Sequence, residues 1–158
     1  MVAGEPPRDR ALRLARLKAR AVHARWPRAV VVASDQTAVS RGRLLHKPRD
    51  AAAARASLRE TSGRWIDFYT ALAVYPPRGT RPWATCEHTR IRLRRLAEDE
   101  IRRYVALDRP FGCAGGFRAE AAGVALWETF ECTDPTAIVG LPLQRLARYL
   151  REAGLPVP

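Results

Sequence analysis

The fold of this chain is decided by residues 29–36, AVVVASDQ, a run of apolar residues that ends in a carboxylate. An apolar run of this length predicts a buried strand. We expect that strand to end at the polar triplet that begins at Ser34, which would deliver Asp35 to the carboxyl edge of a sheet, where α/β proteins place ligands. Asp35 would there act as a general base or hold a hydrated Mg²⁺. The alternative is a capping or turn aspartate, which is common after strands.

The segments on either side of this strand predict helices. Pro6 and Pro7 introduce the first helix, because proline is favoured at a helix start. Its apolar stripe, at helical spacing, is Ala11, Leu14, Leu17, Ala21 and Val22. Lys18 lies beside that stripe. Asp50 is a good N-cap for an alanine-rich helix that ends at residues 62–63. Two further helices are expected at residues 97–107 and in the last segment, on Leu143, Leu146, Tyr149 and Leu150.

The centre of the chain predicts extended structure. Residues 65–75 and 83–93 form two long strands around the turn at residues 76–79, and such a hairpin is antiparallel. Another strand is expected at residues 124–130. Helices and strands alternate along the chain, so the sequence predicts a mixed α/β fold with a sheet flanked by helices.

Length and composition predict a single domain that covers residues 1–158. The chain is 47% hydrophobic and 28% charged, which is ordinary for a soluble globular protein. Its three cysteines form no CxxC pair, a pattern that favours a reducing compartment over a disulfide framework or zinc ribbon. Cys86 and His88 alone make a weak metal site. The sequence has no stretch apolar enough to span a membrane and no signal-peptide core, so we expect a cytoplasmic protein.

Lysine is almost absent from this basic chain. Of its 28 basic residues, only Lys18 and Lys47 are lysine. In a sequence so biased towards arginine, we expect the two surviving lysines at positions that need a compact, rotatable ammonium rather than a planar fork. Binding of phosphate is the commonest such need. The alternative is that two lysines remain by chance on solvated faces.

The net charge of +12 raises the question of a nucleic-acid partner. The arginines are scattered, acidic residues are interleaved with them, and no long basic run is present, so a nucleic-acid surface is not favoured. A small polyanionic substrate explains a basic protein equally well.

Two later segments are candidates for binding an anion. Lys47 precedes a proline and a helix start, which is a natural neighbourhood for an anion, although a solvated loop lysine is the plainer interpretation. Residues 113–120, CAGGFRAE, hold small residues that let the backbone approach a ligand, then Arg118 and Glu120. Taken alone, this stretch is an ordinary turn in which Glu120 pairs with Arg118.

In their order and spacing, these segments resemble the Maf-like family of nucleoside triphosphate pyrophosphatases. The matching stretches are residues 14–19, 34–36, 47–48, 62–64, 69–70, 113–115, 117–120, 134–135 and 139–142. The resemblance implies an α/β fold with an elongated sheet and two lobes around a central cleft. It also implies cleavage of a nucleoside triphosphate to the monophosphate and pyrophosphate with a divalent metal cation, Mg²⁺ or Mn²⁺. Family members often form homodimers.

The resemblance also assigns roles to individual residues. Asp35 matches the catalytic proton acceptor and is a candidate metal ligand, and Lys18 and Lys47 match lysines that line the triphosphate site. Gln36 and Glu120 match the branch that acts on 7-methyl-GTP. A carboxylate can accept the two N–H groups of a guanine edge and can offset the positive charge of the methylated ring. Arg118, also expected to contact substrate, stands where the family usually has lysine.

The chain departs from the family at its start. Family members begin with a strand and a Ser-x-Arg-Arg loop that grips phosphate, and this chain begins just before the helix that follows them. We therefore expect either a misplaced gene start or a truncated member. Two alternatives remain open, namely a weak or inactive remnant that binds nucleotides, and a basic module that binds nucleic acid.

Overall fold

The computed structural model describes residues 4–158. Over these residues the chain forms four helices and five strands, which confirms the predicted α/β fold. Their order is α1 (Pro7–His23), β1 (Val31–Ser40), β2 (Arg43–Leu44), α2 (Ala51–Thr61), β3 (Trp65–Tyr75), β4 (Trp83–Leu93), α3 (Glu98–Asp108), β5 (Trp127–Glu131) and α4 (Leu143–Glu152). Short 3-10 turns occupy Ala114–Gly116, Ala122–Leu126 and Pro135–Val139. The last five residues before β5 are therefore a 3-10 turn, and the strand predicted at residues 124–130 begins later than expected.

The strands form one sheet in the order β2-β1-β3-β4-β5. Strand β2 pairs antiparallel with the end of β1, and β5 pairs antiparallel with β4. Hydrogen bonds give the direction of the inner pairs. Ser40, at the end of β1, bonds the carbonyl of Trp65 at the start of β3, while Ser34 bonds the carbonyl of Ala71 further along β3. Strands β1 and β3 thus run in opposite directions, and the β3–β4 hairpin is as predicted.

Strand β1 continues through the polar triplet, so the prediction that it ends there is wrong. It runs from Val31 to Ser40 without a break, and Asp35 lies in its interior. Alternate residues of a strand point to opposite faces of the sheet. On one face, Val31 packs with α1; on the other, the Ser34 hydroxyl bonds the carbonyl of Gly140. Polar residues are tolerated inside this strand because the chain supplies their hydrogen-bond partners.

Helix α1 buries only part of the stripe predicted from the sequence. Its buried residues are Ala11, Ala15 and Ala19, whereas Leu17 is 50% exposed and Val22 is 47% exposed. The alanines occur every four residues and pack with Val31, Ala71, Ala73 and Tyr75 of β1 and β3. Small side chains let the helix axis approach the sheet closely. The predicted stripe is right for Ala11, which is buried, and wrong for Leu17, Ala21 and Val22, which are exposed. Hydrophobicity alone does not reveal how close the helix lies to the sheet.

Two compact units divide the described chain. The first contains residues 4–36, Tyr69–His88 and Thr133–Pro158, and its core is the α1 contact with the sheet. The second contains Thr37–Phe68 and Thr89–Cys132, and the ring of Phe117 packs edge-on against Phe68 and Trp127 there. None of the helices formed by residues 4–158 has the length and apolar character needed to cross a bilayer.

Candidate functional site

The first unit brings Lys18 and Asp35 together. The Lys18 ammonium, on α1, donates to Oδ1 of Asp35 at 2.6 Å and to the carbonyl of Ser34 at 3.1 Å. The two partners differ in exposure, since the lysine side chain is 56% exposed and the aspartate side chain only 15%. The carboxylate is therefore held in a recess, and the ammonium lies above it within reach of solvent.

The second oxygen of Asp35 has a different environment. No donor among residues 4–158 hydrogen-bonds to Asp35 Oδ2. A carboxylate with one oxygen fixed by a cation and the other open can accept a proton from water or contribute one ligand to a cation. The strand interior fixes the orientation of this carboxylate more firmly than the loop position expected from the sequence.

Gln36 points away from Asp35, into the body of the first unit. Its side-chain amide nitrogen lies 2.9 Å from Oγ1 of Thr70 and 3.1 Å from each of the carbonyl oxygens of Ala137 and Ile138. An amide has two hydrogens to share among these three acceptors. The Thr70 hydroxyl, which is fully buried, also donates to the Ala137 carbonyl at 2.9 Å. Gln36 therefore ties β1 to the 3-10 turn at Pro135–Val139 through its amide nitrogen.

Asp134 is a structural residue that the sequence prediction missed. Its buried carboxylate accepts from the Thr136 amide at 2.9 Å and from the Gln144 amide at 3.0 Å. It thereby satisfies donors of the 3-10 turn and of the first turn of α4, whose N-cap is Pro142. The available signal was the segment Asp-Pro-Thr, because aspartate side chains commonly accept from the backbone two residues on.

Lys47 lies in the second unit, on the wall of a cavity of about 580 Å³. The other residues of the wall are His46, Pro48, Arg49, Phe111 and Gly112. The carbonyl of Pro48 accepts from the Gly112 amide at 2.9 Å, which joins the two segments that form the cavity. This setting makes the Lys47 segment part of a concave surface rather than an isolated loop.

The glycine-rich segment follows in the same unit. Gly115 and Gly116 have φ of 82° and 77°, and a Cβ at Gly123 would lie 2.2 Å from the Arg118 carbonyl oxygen, so these positions require glycine. The Arg118 amide donates to the Tyr104 hydroxyl at 2.9 Å. The predicted pair between Arg118 and Glu120 is confirmed, with a distance of 3.2 Å from Nε to Oε1, and Glu120 raises the pKa of the guanidinium.

The pKa of the Cys113 thiol is affected by several nearby charges. Burial raises the pKa of this thiol, and the charge of Glu120 raises it further. The charges of Arg118 and Lys47 lower it. Three of the predicted site residues therefore share one electrostatic neighbourhood in the second unit, while Lys18, Asp35 and Gln36 belong to the first.

The donor set fits a metal ion that arrives with phosphate. Among residues 4–158 no group of three or more histidine, cysteine or acidic side chains is placed to hold a metal. Mg²⁺ commonly uses one or two carboxylates and completes its shell with water and substrate phosphates. Asp35 Oδ2 fits the role of such a single carboxylate ligand.

Comparison with known proteins gives one consistent relationship. The profile of the Maf-like protein family matches residues 2–153. A 7-methyl-GTP pyrophosphatase of Alkalilimnicola ehrlichii is 44% identical over 153 residues, which are 97% of this chain and 77% of the relative. The 7-methyl-GTP pyrophosphatase of Aromatoleum aromaticum is 46% identical over 98% of this chain and 79% of its own length. The 7-methyl-GTP pyrophosphatase of Pseudomonas aeruginosa is 41% identical over 99% of this chain and 81% of its own length. The predicted resemblance is confirmed, and the chain belongs to the Maf-like protein family.

Proposed function

We propose that this chain is a nucleoside triphosphate pyrophosphatase that hydrolyses 7-methyl-GTP to 7-methyl-GMP and pyrophosphate, and so removes a non-canonical nucleotide. The observation that carries the chemistry is the Lys18–Asp35 pair, which places a recessed carboxylate beside an accessible ammonium. The names of the relatives support the reaction and the substrate.

Asp35 acts as the proton acceptor in this proposal. A water molecule held at Oδ2 attacks the α-phosphorus, and its proton passes to Asp35. The bond between the α-phosphorus and the oxygen that bridges it to the β-phosphorus breaks, and pyrophosphate leaves with that oxygen. Lys18 holds Oδ1 and so orients the carboxylate. Its exposed ammonium is also able to offset charge on the phosphates, and charge stabilisation of this kind supplies much of phosphoryl-transfer catalysis. A divalent cation bound by Asp35 and the phosphates would add charge neutralisation.

The resemblance to the family assigns two substrate contacts to residues of the second unit, Lys47 and Glu120. Lys47 binds phosphate as a compact point charge from the cavity wall. Glu120 accepts the N–H groups of the guanine edge, and its charge favours the cationic methylated ring over plain guanine. Its present partner, Arg118, forms an exposed pair with it. Exposed pairs contribute about 0–1 kcal/mol, so exchanging this partner for a ligand costs little.

Several properties stay predictions. These are the Mg²⁺ or Mn²⁺ requirement, a cytoplasmic location, a homodimer, and a single Maf-like domain. Gln36 is retained as a site residue through its support of β1 rather than through a contact to substrate, because its amide nitrogen is engaged with protein oxygens.

Release of pyrophosphate tests this function. The chain is incubated with Mg²⁺ or Mn²⁺ and with 7-methyl-GTP, GTP or UTP at equal concentration. We expect the highest kcat/KM for 7-methyl-GTP, and we expect Glu120→Gln to reduce its advantage over GTP by about tenfold. Equal rates for all three nucleotides would refute the substrate assignment, and release of single phosphates would refute the reaction type.

A further inference from the structure

A second cavity lies in the first unit, on the face of α1 that carries arginines. Its volume is about 520 Å³, which is within the range of small-molecule sites. Four arginines line it, namely Arg13, Arg16, Arg20 and Arg81, together with one acidic residue, Asp9, and with Leu12, Leu17, Tyr75 and Pro82. Neither Lys18 nor Asp35 is among its lining residues. The cavity therefore combines several guanidinium groups with an apolar surface, outside the pair described above.

Within the described part of the chain, three of these arginines are not neutralised by an ion pair. No carboxylate of residues 4–158 lies within 4.0 Å of the guanidinium groups of Arg16, Arg20 or Arg81. Because four arginines and a single carboxylate, Asp9, line the cavity, its wall carries net positive charge, which favours an anion there.

Two contacts hold parts of the cavity wall in place. Arg13 forms a bidentate ion pair with Glu5, with 2.6 Å from Nε to Oε1 and 2.8 Å from Nη2 to Oε2. The turn that carries Arg81 is tied to the end of α1, because the Nε2 atom of His23 lies 2.9 Å from the Gly79 carbonyl oxygen and the His23 ring stacks on Tyr75 at 4.2 Å. These contacts order Arg13 and the turn that precedes Arg81, which reduces the entropy lost on binding.

We propose that this cavity is a second nucleotide site, which binds a nucleoside diphosphate or triphosphate through its phosphates. The planar fork of arginine matches phosphate oxygens in pairs. The apolar wall formed by Leu12 and Leu17 gives the nucleoside a surface that inorganic phosphate cannot use, and the bounded volume suits a small molecule rather than a polymer. The proposed site differs from the site of hydrolysis in its lining residues, which include neither Asp35 nor Lys18, and binding there needs no metal.

Binding of ADP in the presence of EDTA, measured by isothermal titration calorimetry, tests this proposal without turnover. Arg16→Glu/Arg81→Glu is expected to weaken ADP binding at least tenfold, and Arg16→Gln/Arg81→Gln to weaken it by a smaller factor. Arg102→Glu is the matched control, since Arg102 is an exposed helical arginine outside this cavity. The control is expected to bind ADP within about twofold of the parent chain, with circular dichroism confirming that all variants fold.

Three results would overturn the proposal. The first is ADP binding that is unaffected by both cavity variants. The second is tripolyphosphate binding as tightly as ADP, which would indicate simple charge attraction. The third is a single-stranded RNA oligonucleotide that binds much more tightly through the same arginines, which would indicate a nucleic-acid surface. Pyrophosphate release from 7-methyl-GTP is a separate readout, so failure here would leave the proposed hydrolysis standing.

Discussion

Lys18 and Asp35 form an ion pair with 2.6 Å between the lysine nitrogen and Oδ1 of the aspartate. The lysine side chain is 56% exposed and the aspartate side chain only 15%. Lys18 comes from a helix and Asp35 from the strand beneath it, so each is fixed by packing of its own element. That lysine is needed at this position stays a prediction. A compact ammonium can approach a single carboxylate oxygen and a backbone carbonyl together.

Replacing Lys18 by arginine should impair catalysis although the charge is kept. The planar guanidinium is larger and cannot reproduce the contacts to both Asp35 and the Ser34 carbonyl. We expect Lys18→Arg to lower kcat/KM for pyrophosphate release by about tenfold or more, and Lys47→Arg to lower it as well. The control is the reverse exchange on a surface, Arg102→Lys. If Lys18→Arg and the control have equal rates, the lysine has no special role.

Gln36 gives a prediction for stability. A carboxylate in its place would face the carbonyl oxygens of Ala137 and Ile138 without a hydrogen to donate. We expect Gln36→Glu to lower the free energy of unfolding by about 2 kcal/mol or more, and Gln36→Ala to lower it by about 1 kcal/mol. Urea unfolding at neutral pH measures both values. The proposed network would be wrong if Gln36→Glu were as stable as the parent chain.

The buried face of α1 is testable with two substitutions of opposite size. Ala15 is fully buried against the sheet, so Ala15→Leu should destabilise the fold by about 1–3 kcal/mol through overpacking. Leu17 is half exposed, so Leu17→Ala should change stability by no more than about 0.5 kcal/mol. Thermal unfolding compares the two variants. A larger loss of stability for Leu17→Ala than for Ala15→Leu would favour the apolar stripe predicted from the sequence.

Cys86 gives a prediction about pH. Burial raises the pKa of its thiol from 9.0 to about 11, so the reactive thiolate is scarce at pH 8. We expect iodoacetamide to modify Cys86 much more slowly than the exposed Cys132 at that pH. Because the folded state holds this proton more tightly, Cys86 contributes stability below pH 9.0 that is lost as the pH rises towards 11. Mass spectrometry measures the modification, and equal rates for Cys86 and Cys132 would contradict the prediction about reactivity.

Local signals predicted a large part of the fold. The hairpin strands have the predicted bounds, and Asp50 caps α2 by accepting from the Ala53 amide at 2.8 Å. These features depend on neighbours in sequence. The course of β1 and the buried face of α1 could not be predicted, because they depend on partners far along the chain. Ser34, for example, bonds the carbonyl of Gly140, 106 residues away.

The candidate site was likewise predictable in part. The residue types at positions 18, 35, 47 and 120 were evident from the sequence and its resemblance, as was the Arg118–Glu120 pair. The structure added the open oxygen of Asp35 and the inward orientation of Gln36. Side-chain direction within a strand is set by register, which a polar triplet does not reveal.

The central claim is that Asp35 accepts the proton in hydrolysis, and pyrophosphate release from 7-methyl-GTP by Asp35→Asn tests it most directly. Asparagine keeps the shape of the side chain but is a far weaker base, so we expect kcat to fall by about 100-fold or more. Glu131→Gln, which neutralises an exposed carboxylate on β5, should keep the rate of the parent chain. The claim would be contradicted if Asp35→Asn released pyrophosphate as fast as this control.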